Sequence, residues 1–415
     1  MTSFNGYNDK TRLPDRVGFL WRNELESASY LSVIVDRLET HFIVSEVGLT
    51  VSLVFSLVLV ATTRWHGRFT LDATRGVQKF HSAPTPRIGG LAIMLGLFVA
   101  CALSSDAQQA LFAPLLLASL PAFLFGMAED LTRRVSIGMR LFATMASGVL
   151  CWLLTDVHIL ETGIDPLDTA LAWLPLSVLF TAFAVGGVAN AVNIIDGFNG
   201  LASGTVIIGL VALGFIADGC GDAELARLCF LVCAVTAGFF LVNFPFGKLF
   251  LGDGGAYLLG FLLSWLSVML VYRNPGISPW APLLACAYPV FETVFTIARR
   301  LWCRRHPGQP DSCHLHSLVK IAITGRYFRF LSASLRNACV SPFSWAIAAV
   351  PAVLAVRFAE DGAALLPATA ASFALYLGFY WYVAHAARAR RRRAMRNGAR
   401  VALPALAPEP EPVQS

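Results

Sequence analysis

Several short stretches carry side chains that chemistry could use. In "NAVNIIDGFNGLASG" (190–204), Asn190, Asn193, Asp196 and Asn199 recur every three residues, which places them on one helical face or in a tight turn. Carboxylate and amide oxygens suit a hard divalent cation such as Mg²⁺, or Mn²⁺, rather than zinc. A polar helix cap followed by a loop is the simpler account, but four such groups on one face are costly beside lipid. In "FLGDGG" (250–255), Asp253 stands among three glycines just before an apolar run. A helix starting there favours anions and can bind phosphate. Asp253 is then either an N-cap or a metal ligand, with metal and helix end sharing a pyrophosphate.

Glu129 and Asp130 are adjacent acids at the end of another apolar run, beside Arg133 and Arg134. Partial desolvation and a close neighbour would raise one of their pKa values, a useful state for a proton acceptor. His314 and His316 in "HLHS" sit in a strongly basic stretch and could bind a phosphate. Cys303, His306, Cys313, His314 and His316 invite a zinc reading, but their spacings fit no standard zinc pattern.

These residues need a scaffold, and the composition names its kind. The chain has 415 residues, 56% hydrophobic and only 14% charged, against roughly 25% charged in soluble domains. Its mean hydropathy is +0.63. Many long apolar runs, rather than one large core, predict an all-α polytopic integral membrane protein in the lipid bilayer. Nothing in this composition points to a nucleic-acid partner. The nine Cys are scattered singly and read as small buried hydrophobes. No cleavable signal peptide is evident; residues 1–41 are mixed in charge.

About 20 apolar residues make a span. Eleven segments qualify: 43–63, 88–105, 111–128, 141–157, 169–189, 200–217, 225–242, 254–272, 280–298, 342–358 and 365–385. Most of the 32 Lys and Arg fall in one alternating set of loops and in the tail after Ala386. The other set is short and acidic. The positive-inside rule makes the first set cytoplasmic, puts the N-terminus outside and the C-terminus inside, and gathers every polar stretch above at the cytoplasmic face. The expected organisation is an extracytoplasmic segment at 1–41, a multispan catalytic domain at 42–385 and a basic, then Pro/Glu-rich cytoplasmic tail at 386–415.

Taken in order, "HSAPTPRIGG", "GMAED", "NAVNIIDGFNGLASG", "NFPFGKLFLGDGG" and "HLH" after "PVFET" resemble the polyprenyl-phosphate N-acetylhexosamine-1-phosphate transferases, over about residues 80–320. The resemblance implies transfer of an aminosugar-1-phosphate from a UDP-sugar to undecaprenyl phosphate at the bacterial inner membrane. It implies that Asp253 with Asn193 holds Mg²⁺ on the pyrophosphate. Glu129 and Asp130 would serve the lipid phosphate and its deprotonation. Asp196 would be catalytic, and with Asn190, Asn199 and Lys248 would complete the pocket for nucleotide and sugar. His314 and His316 would grip the diphosphate, and His81, Thr85, Arg87 and Arg140 would line the same face. A homodimer is compatible with the family. The departures are Glu129 where the family often has Asp, Asn199 for a second Asp, Ser317 for a third His, and Met139 followed by Arg140 where a Lys is common. They point away from the muramoyl-pentapeptide branch, the alternative donor class, and toward O-antigen, capsule or other surface polysaccharide. A lipid or sugar transporter, the alternative of another class, would place its polar residues at mid-span.

Overall fold

The computed structural model describes residues 42–72, 84–304 and 313–396. The chain divides into two units, Met1–Val44 and Ser45–Ser415; the fold described here is that of the second. The helices are α1 (Phe42–Ala61), α2 (Thr63–Thr70), α3 (Gly89–Leu103), α4 (Asp106–Ala118), α5 (Leu120–Thr132), α6 (Ile137–Thr155), α7 (Asp165–Leu171), α8 (Leu174–Ile195), α9 (Leu201–Gly219), α10 (Ala223–Asn243), α11 (Gly252–Arg273), α12 (Trp280–Ala285), α13 (Ala287–Trp302), α14 (Leu315–Val319), α15 (Gly325–Tyr327), α16 (Ala333–Ala338), α17 (Ser341–Arg357) and α18 (Gly362–Arg396). One antiparallel ladder, β1 (Leu71–Asp72) with β2 (Thr85–Pro86), pairs Leu71 with Pro86 and Asp72 with Thr85. The chain is an all-α polytopic membrane protein, and a two-residue ladder does not alter that class.

Among the described residues, eight helices are long and apolar enough to cross a bilayer, and α4 with α5, bent by 43° at Ser119, makes a ninth. The expected spans at 88–105 and 280–298 take other forms. The first is α3, whose 15 residues rise about 22 Å. Its first two N–H groups, at Gly89 and Gly90, have no partner within the helix and are taken by the carbonyls of Phe250 and Leu251, and it ends at Ser104, where the backbone turns extended. The second is broken at Cys286 into α12 and α13. Pro289 explains the break: its ring crowds the carbonyl four residues back, at Ala285. The last helix also runs further than expected, to Arg396 rather than 385.

Local signals set the boundaries that matter for the site. Ser136 caps α6, accepting from the Met139 N–H at 3.2 Å. Asp222 does the same for α10 from Leu225 at 3.2 Å. Arg133, at φ 55°, closes α5 in the left-handed region and turns the chain into α6. Helix α11 is the hub. It packs against α3, α5, α8 and α9, and 89% of its apolar window is buried, against 17% for α18. Helix α18 therefore lies at the lipid-facing rim while α11 runs through the middle. Its first residue is the point on which the site is built.

Candidate active site

The N-terminus of α11 receives residues from four separate stretches of sequence. Gly252 opens the helix at φ +76°, a conformation that glycine adopts without steric cost. Gly126 on α5 lies so close that a Cβ there would sit 2.7 Å from the Asp253 carbonyl carbon. That approach brings Asp130 over the helix end. Its Oδ1 accepts from the Asp253 N–H at 2.9 Å, and its Oδ2 accepts from the Gly254 N–H at 2.9 Å. The N-cap of α11 is thus supplied by a residue 123 positions away in sequence, with two otherwise orphaned backbone donors satisfied. Asp130 is almost wholly buried.

Arg87, placed by the pairing of residues 86–90 with 250–251, spans the cluster. Its Nε donates to Asp130 Oδ1 at 2.8 Å and its Nη2 to Asp253 Oδ1 at 3.1 Å. Its Nη1 lies 3.7 Å from Asp72. Arg140, in the first turn of α6, donates through Nη1 to the other oxygen of Asp253, and its own Nε is buried without a partner among the described residues. Glu129 fastens the α5–α6 turn by accepting from the Val135 N–H at 2.9 Å and adds negative charge beside Arg140.

Asp196 closes the cluster from the end of α8. It accepts from the Gly252 N–H, and burial together with the charges of Asp253 and Asp130 pushes its pKa up to about 7. Asn193 faces the same end of α11, its Oδ1 accepting from the Tyr257 hydroxyl at 3.4 Å. Four carboxylates, Glu129, Asp130, Asp196 and Asp253, thus face two guanidiniums, Arg87 and Arg140. The excess of negative oxygen donors is the kind of setting a hard divalent cation occupies. Among the described residues no three His, Cys, Asp or Glu side chains form a ready-made metal cage. Mg²⁺ commonly takes only one or two carboxylates, leaving its other positions to water and substrate phosphates. Asp253, Asn193 and Asp196 fit that pattern in donor type.

Other expected residues make contacts away from the α11 terminus. Asn199 turns its amide to the Pro245 carbonyl at 2.9 Å and the Ser334 hydroxyl at 3.2 Å, so it clips loops together. Asn190 bonds Thr144 on α6 at 3.1 Å and the Gly186 carbonyl at 2.7 Å, inside a helix contact. Thr85 is buried in the ladder. Lys248 is exposed, its Nζ 5.9 Å from the Phe246 ring centre. His81 lies outside the described residues. His314 and His316 are buried, and their rings stack at 5.3 Å and 9°. A Cβ on Gly197 would be 3.5 Å from His316 Nε2, so His316 borders the turn that carries Asp196. Burial lowers the His316 pKa to about 3.

Sequence reasoning missed three residues that hold the site. Asn243 accepts from the Gly200 N–H at 2.5 Å and donates to the Leu249 carbonyl at 2.7 Å, joining the Asp196 and Asp253 stretches. Tyr257 reaches Asn193, and Glu292 on α13 accepts from His314 Nδ1 at 2.9 Å. Glu292 was visible as an acid inside an apolar run, the one available signal.

The glycosyl transferase family 4 model matches residues 112–271, the stretch that contributes Glu129, Asp130, Arg140, Asn193, Asp196 and Asp253. A probable undecaprenyl-phosphate N-acetylglucosaminyl 1-phosphate transferase of Bacillus subtilis (strain 168) is 29% identical over 281 residues, 63% of this chain and 76% of that protein. An undecaprenyl-phosphate alpha-N-acetylglucosaminyl 1-phosphate transferase of Yersinia pestis is 28% identical over 249 residues, 58% of this chain and 67% of its own length. The protein of the same name from Escherichia coli (strain K12) is 27% identical over 247 residues, with the same two shares. With its motifs drawn from distant stretches to one helix end, the chain is similar over these residues to the undecaprenyl-phosphate N-acetylglucosaminyl 1-phosphate transferases.

Proposed function

We propose that the protein transfers an N-acetylhexosamine-1-phosphate, or a related aminosugar-1-phosphate, from a UDP-sugar to undecaprenyl phosphate. UMP is released, and the product starts a lipid-linked surface polysaccharide such as O-antigen or capsule. The observation that carries this reading is the junction of Arg87, Asp130, Arg140 and Asp253 at the start of α11. A helix N-terminus with two guanidiniums attracts phosphates, while the surplus carboxylates leave room for a cation. The relatives named above carry this activity in their names.

The site works at the cytoplasmic face of the bacterial inner membrane. Support comes from the loops at the site's end of the bundle, which hold Arg87, Arg133, Arg134, Arg140 and Lys248, whereas the opposite loops hold Asp156, Glu161, Asp165, Asp168, Asp218 and Asp222. On this reading the bundle has eleven spans, with α3 and the broken α12–α13 pair counted beside the nine, and Mg²⁺ is held by Asp253 and Asn193.

The chemistry follows from charge. Bound Mg²⁺ supplies neutralisation of the pyrophosphate charge. Arg87 and Arg140 shift part of their bonding from Asp253 to phosphate oxygens, and the buried free Nε of Arg140 gains a partner. An oxygen of the lipid phosphate attacks the β-phosphorus. The new P–O bond forms as the bond to the bridging oxygen breaks, and UMP leaves with that electron pair. Asp196, titrating near neutrality, takes the remaining proton of the lipid phosphate. Asp130, whose pKa burial likewise pushes up to about 7, is engaged by three donors and holds Arg87 and the helix end in place.

A donor screen tests this reading. Protein in detergent with undecaprenyl phosphate and Mg²⁺ is offered UDP-aminosugars one at a time, and lipid-linked product is measured. Product from at least one donor, absent when the lipid is withheld, is expected. A folded protein that forms none from any donor would sink the proposal.

A further inference from the structure

The stretch "HLHS" begins a five-residue helix, α14, whose first turn is fixed by Glu292. This carboxylate is fully buried. It accepts from the Leu315 N–H at 3.2 and 3.3 Å, from His314 Nδ1 at 2.9 Å, and from the Tyr376 hydroxyl at 2.9 Å. The Thr296 hydroxyl adds a longer contact at 3.5 Å. An ionised carboxylate can only accept, so each of these partners donates. A His314 ring with a single proton therefore carries it on Nδ1, which leaves a lone pair on Nε2.

The neighbouring ring is set the other way. His316 Nδ1 meets the Tyr288 hydroxyl at 3.4 Å. Ser344 donates its own proton to that hydroxyl oxygen at 3.1 Å. The Tyr288 proton is then directed at His316 Nδ1, which accepts it, and the ring proton of His316 stands on Nε2. That Nε2 is the atom beside Gly197. With its pKa near 3 the ring stays neutral, so Nε2–H is its single donor. Phe198, packed edge-on at 5.6 Å, limits how the ring turns.

We infer that Glu292 and Tyr288 are positioning residues that lock two parallel histidines in opposite tautomers. The loop then offers one donor, His316 Nε2–H, and one acceptor, His314 Nε2. A donor so placed suits an oxygen of the diphosphate. An acceptor suits a hydroxyl or the acetamido N–H of the sugar. Two donors would serve a plain diphosphate equally well, so the mixed pair is a device for reading the sugar end of the nucleotide sugar. This inference rests on the proposed function for its ligand but not for its geometry.

The test has two arms. In the first, full-length protein with ¹⁵N-labelled histidine is studied by NMR in detergent at pH 7.5, with His314 and His316 signals assigned through His314→Asn and His316→Gln. Proton on Nδ1 at His314 and on Nε2 at His316 is expected. The same tautomer at both positions, or a cationic ring at either, overturns the inference whatever the turnover. The second arm compares amides at 316. The Gln amide reaches the place of Nε2 and keeps a donor there, whereas the Asn amide reaches only the place of Nδ1. His316→Gln is expected to turn over at least 10-fold faster than His316→Asn, both retaining wild-type thermal unfolding. Equal rates contradict the donor role of Nε2. A wild-type protein that forms no product would remove the proposed function while leaving the tautomer result to stand.

Discussion

Asp253 and Asp130 share Arg87, yet their chemistry differs. Asp253 stands partly open, between two guanidiniums. Asp130 is enclosed by Arg87 and two backbone N–H groups. Asp253→Ala should therefore abolish turnover in a protein that still unfolds at the normal temperature, and added Mg²⁺ should not restore it. Asp130→Asn should cost stability as well, roughly 3–5 kcal/mol, since a buried pair loses one partner; chemical denaturation of the solubilised protein reads the difference. His316 makes a pH prediction. Its folded pKa near 3 lies below the unfolded value near 6.5, so the unfolded chain binds the extra proton between these values. The folded state loses stability as pH falls below about 6.5, by roughly 1.4 kcal/mol per pH unit from this group. Thermal unfolding between pH 7 and 5 should be less pH-sensitive in His316→Gln than in the wild type. The acids at 130, 196 and 253 were legible as a set because each ends or begins an apolar run. Their division of labour was not, because it depends on which backbone N–H groups a carboxylate faces, and Asp130 caps a helix that begins 122 residues later.

At the scale of elements, the site depends on α5 crossing the start of α11 at a distance that only a residue without a side chain allows. Gly126→Ala would drive a methyl group into the Asp253 backbone. The expected cost is roughly 1–3 kcal/mol, typical of overpacking, together with a large loss of turnover as Asp130 and Asp253 move apart. Gly138→Ala, with nothing within 4 Å of the added carbon, is the matched control and should change neither unfolding nor activity. The long apolar helices were legible from hydropathy, and nine of the eleven expected segments correspond to helices, one of them a bent pair, that meet the length and composition of a span. The shortening of α3 and the break between α12 and α13 were not. The break follows from the ring of Pro289, and α3 ends where Ser104 turns to extended backbone. Glu292 stood out as an acid in an apolar run, but its role did not, because its four partners come from α13, α14 and α18 and the residue before α14, and no local pattern brings them together.

The whole molecule separates a hub, α11, from a rim such as α18, and collects its basic loops at the end that carries the site. Topology can be read directly. In a background without the exposed Cys303, Lys248→Cys should react with a membrane-impermeant maleimide only in inverted vesicles. Reaction only from outside would overturn the orientation. The proposed function and the junction at α11 together make a claim about one bond: the linkage cut is the one between the two phosphates of the nucleotide sugar. The identity of the nucleotide released tests this most directly. Purified protein, undecaprenyl phosphate, Mg²⁺ and the accepted UDP-aminosugar should yield UMP in amounts equal to the lipid-linked sugar, and Asp253→Ala should yield none. Release of UDP instead, which would mean that the sugar moved without its phosphate, would contradict the account.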